Sequence, residues 1–306
     1  MVLSGRKFNR YALAGAVSAA AVLGLNTPSA LSQESTITVD GSSTVFPITE
    51  AMAEEFMAEN SDVRITVGVS GTGGGFSKFC AGETVISNAS RPIKDEEAAT
   101  CAENGINYVE IPVAYDAITV VINPDNDWAE EMSVEQLAML WEPDAEGTVT
   151  TWSDIDSSWP DEPINLFGPG TDSGTFDYFT DEIVGEEGAS RADYTASEDD
   201  NILVLGVQRD SNALGYFGMA YYLENQGSLK AVAVDGVYPG PETVNDGSYT
   251  PLSRPIFIYV REDSLMEDEA LSSFVEYYLE NAASIVPEIG YVALPSEMYE
   301  ESLSGL

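Results

Sequence analysis

Residues 36–59 read TITVDGSSTVFPITEAMAEEFMAE. Thr36–Asp40 alternates apolar and polar side chains, the period of a short strand. Gly41-Ser42-Ser43-Thr44-Val45 follows as a turn of small and hydroxylated residues. Thr44 and Pro47 are helix-start signals. From Pro47 to Glu59, Ile48, Met52 and Phe56 recur on one face, while Glu50, Glu54 and Glu55 face outward. A strand feeding a small-residue turn that opens a helix is the repeating unit of an α/β protein.

The unit recurs. Arg64–Val69 is a strand, and Ser70-Gly71-Thr72-Gly73-Gly74-Gly75 is a turn into a short helix bearing Phe76 and Phe79. Val85–Asn88 is strand-like, and a helix over Lys94–Glu103 follows Pro92. Val109–Val113 and Ala117–Ile122 read as two strands. In the second half, Val134–Leu140 is helical and Ile164–Phe167 is a strand. Gly168 to Thr175 is a turn, and Phe176–Val184 is a helix. Ala231–Val234 and Ile256–Val260 are strands, and Leu271–Leu279 is helical. Tyr216–Tyr222 reads as core and lobe-interface packing, and Glu198-Asp199-Asp200 as a solvated loop. No low-complexity linker divides the halves. The pattern predicts two α/β lobes with a mainly parallel sheet, joined by strands crossing near Ala114–Ile118 and Leu252–Ile258.

The chain has 306 residues, a length that favours two lobes over one swollen core. With 12 Lys+Arg against 52 Asp+Glu, the formal charge is −40. Such a polyanion repels nucleic acid and anionic membranes. Adaptation to high salt is the preferred reading of this acidity over a calcium-binding surface. Asp125-Asn126-Asp127 comes nearest to an EF-hand loop but is followed by Trp128, so no metal site is expected. There are no histidines, which excludes Ser-His-Asp and Cys-His catalysis and every His-ligated metal.

Arg6, Lys7 and Arg10 precede an apolar run over Tyr11–Leu25, and small residues end it at Pro28–Ser32. The run is short for a bilayer span, which needs about 20 residues. Residues 1–32 are therefore expected to be a cleaved signal peptide. An exported chain meets an oxidising space, so Cys80 and Cys101 are expected to form one disulfide, with two buried free thiols as the alternative.

Four turns share one design: Gly41–Val45, Ser70–Gly74, Asn88–Pro92 and Thr171–Thr175. Each places a strand end before a helix start, where unpaired N–H groups and hydroxyls face an incoming anion. Taken singly, each is also an ordinary helix cap. Nucleotide motifs fail. Lys78 is not in a Gly-Lys-Ser/Thr context, and Phe76 stands where a dinucleotide-binding loop needs glycine. Gly170-Thr171-Asp172-Ser173-Gly174 is one residue too long for a nucleophile elbow.

These turns, with Ser87-Asn88-Ala89-Ser90-Arg91-Pro92-Ile93 and Tyr249–Val260, resemble the phosphate-binding component of the ABC phosphate transporter. This is the PstS family, in its SphX-like branch, and the resemblance runs from about Thr36 to the C-terminus. It implies a two-lobed type II periplasmic-binding-protein fold with a hinge and an interlobe ligand cleft. Lobe 1 would comprise residues 33–116 plus 253–306, and lobe 2 residues 117–252. It further implies a periplasmic, monomeric receptor that is not an enzyme and has no cofactor. Such a receptor captures inorganic phosphate and passes it to a permease in the inner membrane.

Carried over by position, the resemblance implies phosphate contacts from Ser43, Thr44 and the Val45 amide, from Thr72, from Ser90 and Arg91, and from Asp172, Ser173, Gly174 and Thr175. Two positions depart from the family pattern. Arg91 stands where better-known members carry an aspartate that accepts the phosphate proton. Pro169 stands where they carry an arginine. The acceptor is open between Asp172 and Asp116, and Arg254 is expected to pair a carboxylate at the crossover, with a role as phosphate ligand as the alternative. Alternative functions are binding of another tetrahedral oxyanion such as sulfate, or an exported carboxylate-based hydrolase.

Overall fold

The computed structural model describes residues 35–171 and 173–306. Residues 1–32, read as a signal peptide, and Asp172 lie outside the described residues. The chain runs β1 (Ser35–Gly41), α1 (Phe46–Glu59), β2 (Val63–Val69), α2 (Gly71–Cys80), β3 (Ile86–Ala89) and α3 (Asp95–Glu103). It then enters β4 (Tyr108–Ile122), one continuous strand where the sequence reading has two. The second half holds β5 (Glu131–Met132), α4 (Val134–Trp141), α5 (Trp152–Ile155), β6 (Asn165–Pro169), α6 (Gly174–Phe179) and β7 (Thr195–Ser197). It continues through α7 (Asp200–Arg209), β8 (Ala213–Gly218), α8 (Met219–Asn225), β9 (Lys230–Ala231), β10 (Ala233–Val234) and α9 (Pro241–Asn245). The chain returns along β11 (Ser253–Arg261) and ends with α10 (Glu262–Glu267), α11 (Glu269–Ile289) and α12 (Ser296–Ser304). Among the described residues no helix is long and apolar enough to cross a membrane.

The main sheet has the order β2-β1-β3-β11-β4-β8-β6-β7. Its flanks are parallel: β1 pairs with β2 and β3, and β6 with β7 and β8. Its middle is antiparallel, because β11 runs back against both β3 and β4, and β8 runs back against β4. A mainly parallel sheet therefore describes the flanks but not the centre.

Two cores lie along this sheet. One gathers Ile37, Val39, Ile48, Met52 and Phe56 with Phe274, Tyr278 and Leu279 of α11. The other gathers Trp141, Trp152, Leu166, Phe179, Leu214 and Tyr216. Strand β4 serves both. Ile111, Val113 and Ala114 belong to the first core, and Ala117, Ile118, Val120 and Ile122 to the second. Each large apolar side chain buried in these cores contributes about 1.5–3 kcal/mol, so the two lobes are separately packed units on a shared strand.

Cys80 and Cys101 form a disulfide tying the C-terminal end of α2 to α3. They sit in a third apolar cluster with Phe76, Phe79, Phe257 and Tyr259. Tyr216 and Phe217 are fully buried, as expected for packing residues. The reading of Glu198-Asp199-Asp200 as a solvated loop fits the exposed Glu198 and Asp199 and is corrected for Asp200. Asp199 caps α7, its Oδ1 accepting the Asn201 amide at 3.0 Å, and Asp200 opens that helix half-buried. Burial, reinforced by Asp199 and Glu198, pushes the Asp200 carboxyl up to about 6.

Candidate functional site

The first turn is built by Ser42 rather than by Thr44. The Ser42 amide donates to Asn88 O at 2.9 Å, its carbonyl accepts the Phe46 amide at 3.1 Å, and its Oγ accepts the Thr44 amide at 3.2 Å. Val45 occupies the cap position of α1, with no side-chain cap bond. Thr44 is therefore not a helix cap, a correction to its reading as a start signal. Its carbonyl accepts the Tyr291 hydroxyl at 2.7 Å, which pins its backbone.

The second turn is shorter than its glycines suggest, because α2 begins at Gly71. The glycines serve close packing: a Cβ on Gly75 would lie 2.5 Å from the Gly41 Cα. Asp40, at the end of β1, holds this turn by accepting from Ser70 Oγ and from Lys78 Nζ, the latter at 2.7 Å. The second and third turns are joined directly. Thr72 Oγ1 accepts the Ser90 amide at 3.2 Å and lies 3.0 Å from Ser90 Oγ.

Arg91 is committed within the third turn. Its Nη1 and Nη2 donate to the two Glu97 carboxylate oxygens at 2.9 and 2.8 Å. The hydrogen bonds to Glu97 raise the Arg91 guanidinium's pKa against the opposing effect of burial. Burial alone would raise the Glu97 carboxyl. The Arg91 bonds, the Lys94 amide and both positive charges together hold it below the usual range.

In the fourth turn Ser173 caps α6, its Oγ accepting the Thr175 amide at 3.2 Å. Gly174, the first residue of α6, packs against Thr44 of the first turn.

These turns converge on a cleft of ≈ 780 Å³. Of the residues carried over from the sequence, Ser43, Thr44, Thr72, Ser90, Arg91 and Gly174 line it. Val45 is fully buried behind the first turn, so its side chain does not reach the cleft. Ser173 and Thr175 flank Gly174 without lining the cleft, and Asp172 lies outside the described residues.

The sequence reading missed the acidic wall formed by Asp177, Asp181, Glu182 and Glu187. Burial raises the carboxyls of Asp177 and Glu182, each helped by a neighbouring acid. Amphipathic spacing cannot announce such a wall in a chain this rich in carboxylates.

Arg254 also lines the cleft. It pairs a carboxylate at the crossover, as expected: Nε and Nη2 donate to Asp116 Oδ2 at 3.3 and 3.2 Å. The two residues sit opposite each other in the β4–β11 register. Asp116 is 5% exposed, and burial raises its carboxyl while Arg254 opposes that rise. The Tyr178 ring lies 3.7 Å from the Arg254 guanidinium carbon, and the Tyr178 hydroxyl donates to Pro251 O at 2.6 Å.

Two α/β lobes on a shared pair of crossing strands, with a polar cleft lined by strand-to-helix turns, define a type II periplasmic-binding-protein fold. A profile of the PBP superfamily domain matches residues 26–282. Protein SphX of Synechocystis is 52% identical over 277 residues, covering 89% of this chain and 82% of its own. The phosphate-binding protein PstS of Staphylococcus saprophyticus is 40% identical over 272 residues, covering 87% of this chain and 83% of its own. The crystal structure of a possible phosphate binding protein from Planctomyces limnophilus superposes with a TM-score of 0.83 at 48% identity, covering 89% of this chain and 97% of that one. The chain belongs to the PBP superfamily, within the family of SphX and the PstS phosphate-binding proteins.

Proposed function

We propose that this protein is an exported receptor that captures inorganic phosphate and delivers it to an ABC permease. The observation that carries the reading is the convergence of Ser43, Thr44, Thr72 and Ser90 with Gly174 from the other lobe, in one cleft that also presents Arg254. Hydroxyls, backbone amides and helix starts hold a tetrahedral oxyanion without a field of lysines. The proposed binding set is Ser43, Thr44, Thr72, Ser90, Arg91 and Gly174, which line the cleft, together with the Val45 amide behind the first turn and with Asp172, Ser173 and Thr175 beside Gly174 in the fourth turn. Lobe 1 is residues 33–116 with 253–306, and lobe 2 is residues 117–252. Residues 1–32 act as the export signal, and the mature monomer works in the periplasm. The relatives named for phosphate binding support this reading.

Calorimetric titration of the mature protein with phosphate, arsenate and sulfate tests it. Phosphate is expected to bind at micromolar affinity or tighter, about −8 kcal/mol or beyond. Sulfate, with no proton to offer a buried acceptor, is expected to bind far more weakly. Equal affinity for sulfate and phosphate would overturn phosphate selectivity. N-terminal sequencing of secreted protein locates the cleavage.

A further inference from the structure

We propose that Arg254 supplies the guanidinium that grips the oxyanion, with Asp116 and Tyr178 holding its plane in place. This rests on the oxyanion-receptor reading of the cleft.

Two arginines line the cleft, Arg91 and Arg254. Arg91 already spends both terminal nitrogens on a forked pair with Glu97, and its Nη1 also donates to Pro92 O at 3.1 Å. Its end-on fork is taken by an internal carboxylate, which leaves two donors, Nε–H and one Nη2–H, against three on Arg254. Arg254 is used differently. Asp116 takes Nε and one Nη2 donor through a single oxygen, Oδ2. Among the described residues, Nη1 of Arg254 has no hydrogen-bond partner. A guanidinium carries five N–H donors, so an edge remains for a second acceptor. The side chain is 23% exposed and lines the cleft, so that edge is accessible from it.

The supports fix the orientation. The Asp116 side chain, 7% exposed, anchors one edge of the guanidinium, and the Tyr178 ring sits against its face at 3.7 Å. A planar cation held on one edge and one face presents the rest of its fork in a fixed direction, the arrangement that favours two parallel bonds to a tetrahedral anion. The three residues also come from different places. Asp116 is on β4, Arg254 on β11 and Tyr178 on α6. An anion on Arg254 therefore touches both crossing strands and the second lobe through one side chain.

The test is calorimetry with inorganic phosphate on the wild-type chain, Arg254→Lys, and the double variant Arg254→Met with Asp116→Asn. The double variant leaves no unpaired buried carboxylate and keeps an apolar stem against Tyr178. It is expected to retain a melting temperature near wild type while losing roughly 100-fold or more in affinity. Arg254→Lys keeps the charge without the fork and is expected to bind about tenfold more weakly. A loss below tenfold in a folded double variant overturns the proposal. If the double variant does not fold, Arg254→Lys decides, and a loss below threefold overturns it. If the wild-type chain takes sulfate or arsenate but not phosphate, the phosphate reading fails alone and the same variants are scored on that anion. Binding of none of the three overturns both.

Discussion

A Cβ placed on Gly174 would stand 2.9 Å from the Thr44 hydroxyl oxygen, although the two residues belong to turns far apart in the chain. At the first position of α6 an alanine is otherwise well tolerated. The Thr44 Cα and Cβ would lie at 3.7 and 3.8 Å, so only the hydroxyl must move. Gly174→Ala is therefore expected to change stability by less than about 1 kcal/mol. By turning the Thr44 donor away, it should weaken phosphate binding about tenfold, the worth of one hydrogen bond. Thermal melts and calorimetry on one preparation separate the two effects. Unchanged affinity would remove Thr44 from the ligand set.

The fork between Arg91 and Glu97 competes with any anion for the same donors. Glu97→Gln releases charge from that fork while leaving an oxygen to accept the Lys94 amide, now bound at 2.9 Å. Phosphate affinity is expected to rise about three- to tenfold, on the order of 1 kcal/mol. If affinity stays the same, Arg91 is a wall residue and not a ligand.

Asp200 makes the stability depend on pH. Its carboxyl titrates at about 6 in the folded chain, against about 3.9 when unfolded. Between these values the folded state binds the extra proton, so stability falls as pH rises from 4 to 6. Asp200→Asn removes that penalty but also a favourable charge at a helix start. A net gain on the order of 1–2 kcal/mol is expected at pH 8, vanishing below pH 4. Denaturant titrations at pH 4, 6 and 8 measure it. A variant less stable than wild type at pH 8 would show that the helix-start charge dominates.

The disulfide closes a loop of sequence separation 21, worth about 3 kcal/mol by loop entropy. It joins the C-terminal end of α2 to α3, while the cleft is at the start of α2. Reduction is expected to lower the unfolding free energy by about that amount and to leave phosphate affinity within threefold. A large loss of affinity on reduction would mean that the Thr72 and Ser90 turns need this tether.

The strand-to-helix units of the first lobe were legible because each kept its period and its punctuation: Ile48, Met52 and Phe56 fall on one face, and Pro47 marks the start. Strand β8 was not. Ala213–Gly218 is buried on both faces except at its last residue, so it has no alternation to read, and glycines interrupt it. β4 read as two strands, Val109–Val113 and Ala117–Ile122, with Ala114–Asp116 left between them. The structure keeps it continuous by placing β11 alongside, with Arg254 opposite Asp116. The hydroxyl turns were visible as short motifs. The Glu97 fork and the Tyr178 platform were not, since both depend on distances that no local pattern encodes.

Strand β11 fills the gap between β3 and β4, yet it is made long after both. A chain extended only as far as Thr250 holds nearly every side chain of the second core, all from the stretch after β4 begins to cross. The main sheet still lacks the strand between β3 and β4. The order of assembly follows: the inserted lobe can pack first, and the lobe that contains the N-terminus closes last, when the returning segment arrives. Until then the facing edges of β3 and β4 are bare templates for a neighbouring chain. A truncation before Ser253 thus leaves an adhesive sheet, not a smaller receptor.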